Sequence, residues 1–180
     1  IKAKKENFET ANYTSTRLKS QGKYSFTYGK VEIRAKLPAA AGTWPALWML
    51  GSNITTVGWP KCGEIDIMEQ KGWDKSMVSA ALHNQSSSGD TIHYQEVDVS
   101  TSTSEFHVYS VNWTPDEIIF SVDGKEYYTY SPEDKTEINW PYDSPQFIIL
   151  NVAMGGSLGG EIPDDFSESA MHIDYVRVYR

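Results

Sequence analysis

From Val31 to Leu37 every second side chain is apolar, with Glu32, Arg34 and Lys36 between them and Pro38 closing the run. A two-residue rhythm suits a strand with one wet and one buried face and suits no helix. The rhythm returns in short stretches along the whole chain. Gly42-Thr43-Trp44-Pro45 leads into the apolar run Ala46-Leu47-Trp48-Met49-Leu50, and Glu64-Ile65-Asp66-Ile67 alternates acid with isoleucine. Residues 77–83, 106–113, 147–153 and 172–179 read as further strands, and 117–122 joins 126–130 through the turn Asp123-Gly124. Helical periodicity is confined to short turns such as 164–167. Many short strands punctuated by Gly, Pro and Asn predict an all-β sandwich or barrel.

With 180 residues the chain suits one domain with a sizeable core, and no internal repeat or linker divides it. No apolar run reaches the roughly 18 residues that span a bilayer. A net charge of −8 and the lack of a basic stripe exclude nucleic acid as a partner. Neutral or cationic partners fit better. The chain carries 6 Trp and 11 Tyr, residues that either stack on sugar rings or fill a sandwich core. Cys62 is alone, so no intrachain disulfide forms, and Ile1-Lys2-Ala3-Lys4-Lys5 lacks the apolar stretch of a signal peptide.

Strict alternation through Glu64-Ile65-Asp66-Ile67-Met68-Glu69 sends Glu69 into the core, where an uncompensated carboxylate costs several kcal/mol. One extra residue, a β-bulge near Met68, returns Glu69 to the face of Glu64 and Asp66. Three carboxyls on one face then perturb one another's protonation, which suits acid/base chemistry. Two carboxyls about 5–5.5 Å apart are the geometry of a retaining glycosidase, with a nucleophile and an acid/base. The residues alone leave three alternatives open: a cation held by the acids, a solvated acidic strand face, and a sugar-binding lectin without chemistry.

Gly63-Glu64-Ile65-Asp66-Ile67-Met68-Glu69 resembles the active-site strand of glycoside hydrolase family 16, in the bulged form typical of laminarinases, the endo-β-1,3-glucanases. The stretches 28–38, 42–50, Trp59-Pro60, 151–156 and 174–179 resemble the same family in the same order. The resemblance implies a concanavalin-like β-jelly-roll, a sandwich of two antiparallel sheets with a substrate cleft across the concave one. It implies one catalytic domain over residues 1–180, lacking a segment that relatives carry before Ile1 and so leaving an edge strand open. It also implies endo-acting hydrolysis of β-1,3-glucan with retention, secretion, no required cofactor and no membrane partner. A monomer is expected unless another chain supplies the missing segment. Mixed-linkage β-1,3-1,4-glucan or algal galactan hydrolysis, and a non-catalytic glucan-binding module, are the alternatives.

By position, Glu64 matches the family's nucleophile, Glu69 its acid/base and Asp66 the residue assisting them. Arg34 and Glu32 match sugar-hydroxyl contacts in the cleft. Trp44, Trp48 and Trp59 match aromatic positions near the glycone subsites, and His83 and Asn151 match polar positions near the cleavage point. Trp73 is expected on the leaving-group side, and Trp113 and Trp140 in the core. Asp174 matches the side-chain ligand of a structural calcium ion, whose backbone ligands fall mostly before Ile1. Strand parity puts Cys62 on the cleft floor beside Glu64.

Overall fold

The computed structural model describes residues 1–87, 90 and 92–180. Strands form where the alternation places them. The chain opens with β1 (Lys2–Phe8), β2 (Ala11–Thr14) and β3 (Arg17–Lys19). It continues through β4 (Gly29–Lys36), β5 (Thr43–Gly51), the single turn α1 (Ile54–Val57), β6 (Glu64–Gln70), β7 (Met77–His83) and β8 (His93–Asp98). β9 (His107–Trp113), β10 (Ile118–Val122) and β11 (Lys125–Tyr130) follow, then β12 (Gln146–Met154), the short α2 (Gly156–Gly159), β13 (Glu168–Ala170) and β14 (His172–Tyr179). No helix among the described residues is long and apolar enough to cross a membrane.

All pairings named here are antiparallel. A six-stranded sheet runs β3-β12-β5-β6-β7-β8, a five-stranded sheet runs β11-β10-β9-β4-β14, and β13-β1-β2 form a small third sheet. The two large sheets stack as a jelly-roll sandwich. Val31, Ile33 and Ala35 of β4 meet Leu47 and Met49 of β5 and Ile65 of β6 in one buried cluster. Full burial of each such side chain contributes about 1.5–3 kcal/mol, so both sheets are pinned by their apolar faces. Trp113 and Trp140 lie in this core, as expected from their strand and turn positions. Trp113 is flanked by Tyr28 at 5.2 Å and Phe26 at 5.9 Å between ring centroids.

The bulge in β6 is present. Against β7, Asp66 pairs with Ala81 and Glu69 with Ser79, so β6 takes three steps where β7 takes two. Against β5, the consecutive Leu47 and Trp48 face Met68 and Asp66. Ile67 and Met68 both point inward, at 2% and 0% exposure, and Glu69 returns to the outer face.

Candidate active site

β6 lies near the middle of the six-stranded sheet and presents Glu64, Asp66 and Glu69 on its outer face, away from the partner sheet. Gly63 leads into it at φ 76°, a backbone conformation that side chains rarely adopt. A Cβ there would also meet the Pro141 ring at 2.9 Å. Each outer glutamate receives an indole N–H. Trp44 Nε1 donates to Glu69 Oε1 at 2.8 Å, and Trp59 Nε1 donates to Glu64 Oε2 at 3.0 Å. His83, at the end of β7 and opposite Glu64 in register, holds Nε2 at 3.3 Å from Asp66 Oδ2. The Trp59 ring leans over His83 at 5.8 Å between centroids.

Beyond the acids toward β12, Trp48 Nε1 donates to Asn151 Oδ1 at 2.8 Å. The Arg17 guanidinium from β3 lies 5.4 Å above the Trp48 ring. A cleft of about 180 Å³ joins these groups to the three acids. A second stretch of about 560 Å³ continues from Glu64 and Glu69 across β7 to β8. Together they cross the sheet from edge to edge.

Burial and mutual repulsion set the protonation of the trio. Glu64 is pushed up to about 8, first by burial and then by the Asp66 charge, while His83 and the Trp59 N–H pull the other way. Asp66, the most enclosed, is raised well above the usual carboxylate range by burial and by the Glu69 charge. Burial also raises Glu69, against the Trp44 N–H and His83. Three carboxyls this close titrate as a unit and retain protons at a pH where isolated carboxyls would have lost them. Among the described residues no lysine or arginine pairs with them; indoles donate to the two glutamates and His83 Nε2 faces Asp66.

A family model described as Glycosyl hydrolases family 16 matches residues 1–177. The chain belongs to this family. It is 41% identical over 191 residues to a β-glucanase of Rhodothermus marinus, covering all of this chain and 67% of that protein. It is 41% identical over 185 residues to glucan endo-1,3-beta-glucosidase A1 of Niallia circulans, covering 94% of this chain but 27% of that one. The laminarinase structure from Flavobacterium sp. UMI-01 superposes at a TM-score of 0.94 with 50% identity, over all of this chain and 77% of that one. Family 16 membership accounts for the jelly-roll and for the bulged acidic strand together.

The fold brings Trp44, Trp48, Trp59, His83 and Asn151 to the acids, as position within family 16 implies. Glu32 and Arg34 are corrected. Alternation rightly gives them a wet face, but β4 belongs to the five-stranded sheet, so that face lies on the far side of the sandwich. There Glu32 pairs with Lys30 at 2.7 Å, and Arg34 pairs with Asp174 at 2.8 Å while covering the Phe106 ring. The cleft arginine is Arg17, which strand periodicity misses because β3 has three residues.

Asp174, the expected calcium ligand, lies on β14 beside Arg34 of β4. Its carboxylate is held by Arg34, and among the described residues the one group of three candidate ligand residues close together is Glu64, Asp66 and His83, within 4.8 Å of one another. Cys62 is corrected too. Gly63 breaks strand parity before β6 begins, and Cys62 is fully buried, its thiol pushed up to about 11 by burial. Trp73 is 59% exposed beside Gly160, outside the cleft wall at the acids.

Proposed function

We propose that the chain is an endo-acting retaining hydrolase of β-1,3-glucan. The observation that carries this reading is a trio of raised carboxyls on one open cleft face, with a separate indole donor on each outer glutamate. Glu64 attacks the anomeric carbon, and the glycosidic C–O bond breaks as Glu69 gives its proton to the leaving oxygen. Glu69, now a carboxylate, takes a proton from water. That water's oxygen replaces Glu64 at the anomeric carbon, restoring both carboxyls and the original configuration. Among the described residues Asp66 faces only its neighbouring acids and His83, so its role is to keep the trio's proton count high. A cleft open at both ends admits the interior of a chain, which makes the cleavage internal. The two glutamates supply nucleophile and proton without a cofactor. A polysaccharide substrate implies an enzyme working outside the cell, as a monomer with its whole cleft on one chain.

Product analysis on laminarin, lichenan and agarose tests the reading. Wild type should release laminari-oligosaccharides of mixed length from laminarin first, and Glu64→Ser should bind laminarin but release none. Preferred cleavage of lichenan or agarose would move the substrate to mixed-linkage glucan or galactan. Binding of laminarin by wild type without new reducing ends would make the chain a glucan-binding module.

A further inference from the structure

Glu64 and Glu69 each receive an indole N–H, whereas Asp66 is left short of a bond. Asp66 is 3% exposed, and among the described residues its enclosed Oδ2 accepts no hydrogen bond. An enclosed carboxylate oxygen without a partner is costly, so the position calls for an explanation. His83 Nε2 stands 3.3 Å from that oxygen but out of line for a hydrogen bond. The other ring nitrogen, Nδ1, is likewise enclosed with no partner among the described residues. With the proton on Nδ1, the imidazole turns a lone pair at Nε2 toward Asp66.

Register completes the arrangement. His83 on β7 lies opposite Glu64, and the small Ala81 lies opposite Asp66, so the imidazole reaches diagonally to Asp66 over a gap. One ligand atom each from Glu64, Asp66 and His83 then lie within 4.8 Å of one another. Trp59 holds Glu64 Oε2 and leaves Oε1 to turn inward. A tetrahedral ion with bonds of about 2.0–2.2 Å needs ligand atoms roughly 3.3–3.5 Å apart. Asp66 and His83 already have that spacing, and a rotation of Glu64 closes the rest. Both stretches of the cleft reach the group, one along Glu64 and Asp66 and the other along Glu64 and His83, so an ion has a way in. An imidazole with two carboxylates suits Zn²⁺, whereas Ca²⁺ and Mg²⁺ take all-oxygen ligand sets.

We propose that Glu64, Asp66 and His83 form a binding site for a divalent transition cation of the zinc class, which locks the nucleophile when it is filled. The ion takes lone pairs from Glu64 Oε1, Asp66 Oδ2 and His83 Nε2, and any protons on these atoms pass to solvent. Its fourth position faces the cleft and holds water. A coordinated Glu64 has no free lone pair for an anomeric carbon, so the ion is an off-switch and not a cofactor. The site stands on the geometry of three side chains; its inhibitory effect alone rests on the hydrolase reading above.

Titration calorimetry with Zn²⁺ alone, on wild type, His83→Ala and His93→Ala, tests the site. Wild type and His93→Ala should bind one ion per chain with equal affinity, and His83→Ala should bind it at least about tenfold more weakly. Anomalous scattering at the zinc edge from soaked wild-type crystals should place the ion between the three residues, a readout that needs no variant to fold. Fluoride release from β-laminaribiosyl fluoride should fall as the site fills, and EDTA should restore it. A wild-type dissociation constant above about 1 mM, equal affinity in His83→Ala, or an anomalous peak elsewhere would overturn the site. Zinc bound at the three residues with fluoride release unchanged would overturn the lock. A wild type that releases no fluoride even without zinc would refute the hydrolase reading and the lock with it, while calorimetry and the anomalous peak still decide the site.

Discussion

Replacing Trp59 with Phe removes one N–H donor from Glu64 while keeping a ring over His83, and its effect on the pH profile can be worked out in advance. A hydrogen bond to an ionised group is worth about 1.5–3 kcal/mol when shielded. Trp59 is 49% exposed, so water competes and about 0.5–1.5 kcal/mol is the better figure. At 1.36 kcal/mol per unit, the Glu64 pKa should rise by roughly 0.4–1. Glu64 must be ionised to attack, so the acid limb of kcat/KM moves up by that amount and the basic limb stays. Trp44→Phe removes the donor from Glu69 at 2.8 Å in a more enclosed place, so its shift should reach about 1–2 units. Glu69 must be protonated for the first step, so here the basic limb moves up. The assay is kcat/KM on a soluble laminari-oligosaccharide from pH 4 to 10. If Trp59→Phe moves the basic limb, or Trp44→Phe the acid limb, the two roles are exchanged and the reasoning fails.

Arg34→Ala should leave kcat/KM within about twofold of wild type, because Arg34 lies on the far face. Its exposed pair with Asp174 should cost less than about 1 kcal/mol in a urea titration. Gly72→Ala would put a Cβ 1.8 Å from the Gly159 carbonyl oxygen, and forcing those backbones apart should cost at least about 1–3 kcal/mol. Thermal unfolding should register that as a fall of roughly 3–10 °C for a chain of this size. Lys75 is pushed down to about 8 by burial, its ammonium held by Thr43 and Gln70 oxygens. A lowered folded pKa means a contribution that is full above the ordinary value near 10.5 and lost as pH falls through 8. Stability of wild type relative to Lys75→Met should therefore rise by about 1–2 kcal/mol between pH 8 and 10.5, discounted for partial exposure. Parallel urea curves at the two pH values decide this; a flat difference would refute it.

Alternation missed β1, β2, β3, β8 and β13, but it was enough to find the other strands, and the surplus residue at Met68 was enough to find the bulge. Both are local, and the burial rule that makes Glu69 face outward is local too. Glu32 and Arg34 show where local reading stops. Periodicity says which side of a strand is wet, but the choice of sheet depends on pairing with β9 and β14, both distant in sequence. Arg17 escaped for the opposite reason: a strand of three residues has no period to read. Cys62 was misplaced because parity was carried across a glycine that ends it. Tyr94 and Glu96 enter the cleft only through a register two strands from the acids, and no motif in the chain marks them.

The two outer carboxyls are each gripped by an indole, a group with a hydrogen to give and no lone pair to offer. An imidazole or phenol in the same place could carry the proton away; these rings cannot. The rings that steady the acids are also walls of the groove, so the surfaces that meet a substrate are the same ones that hold the two carboxyls in place.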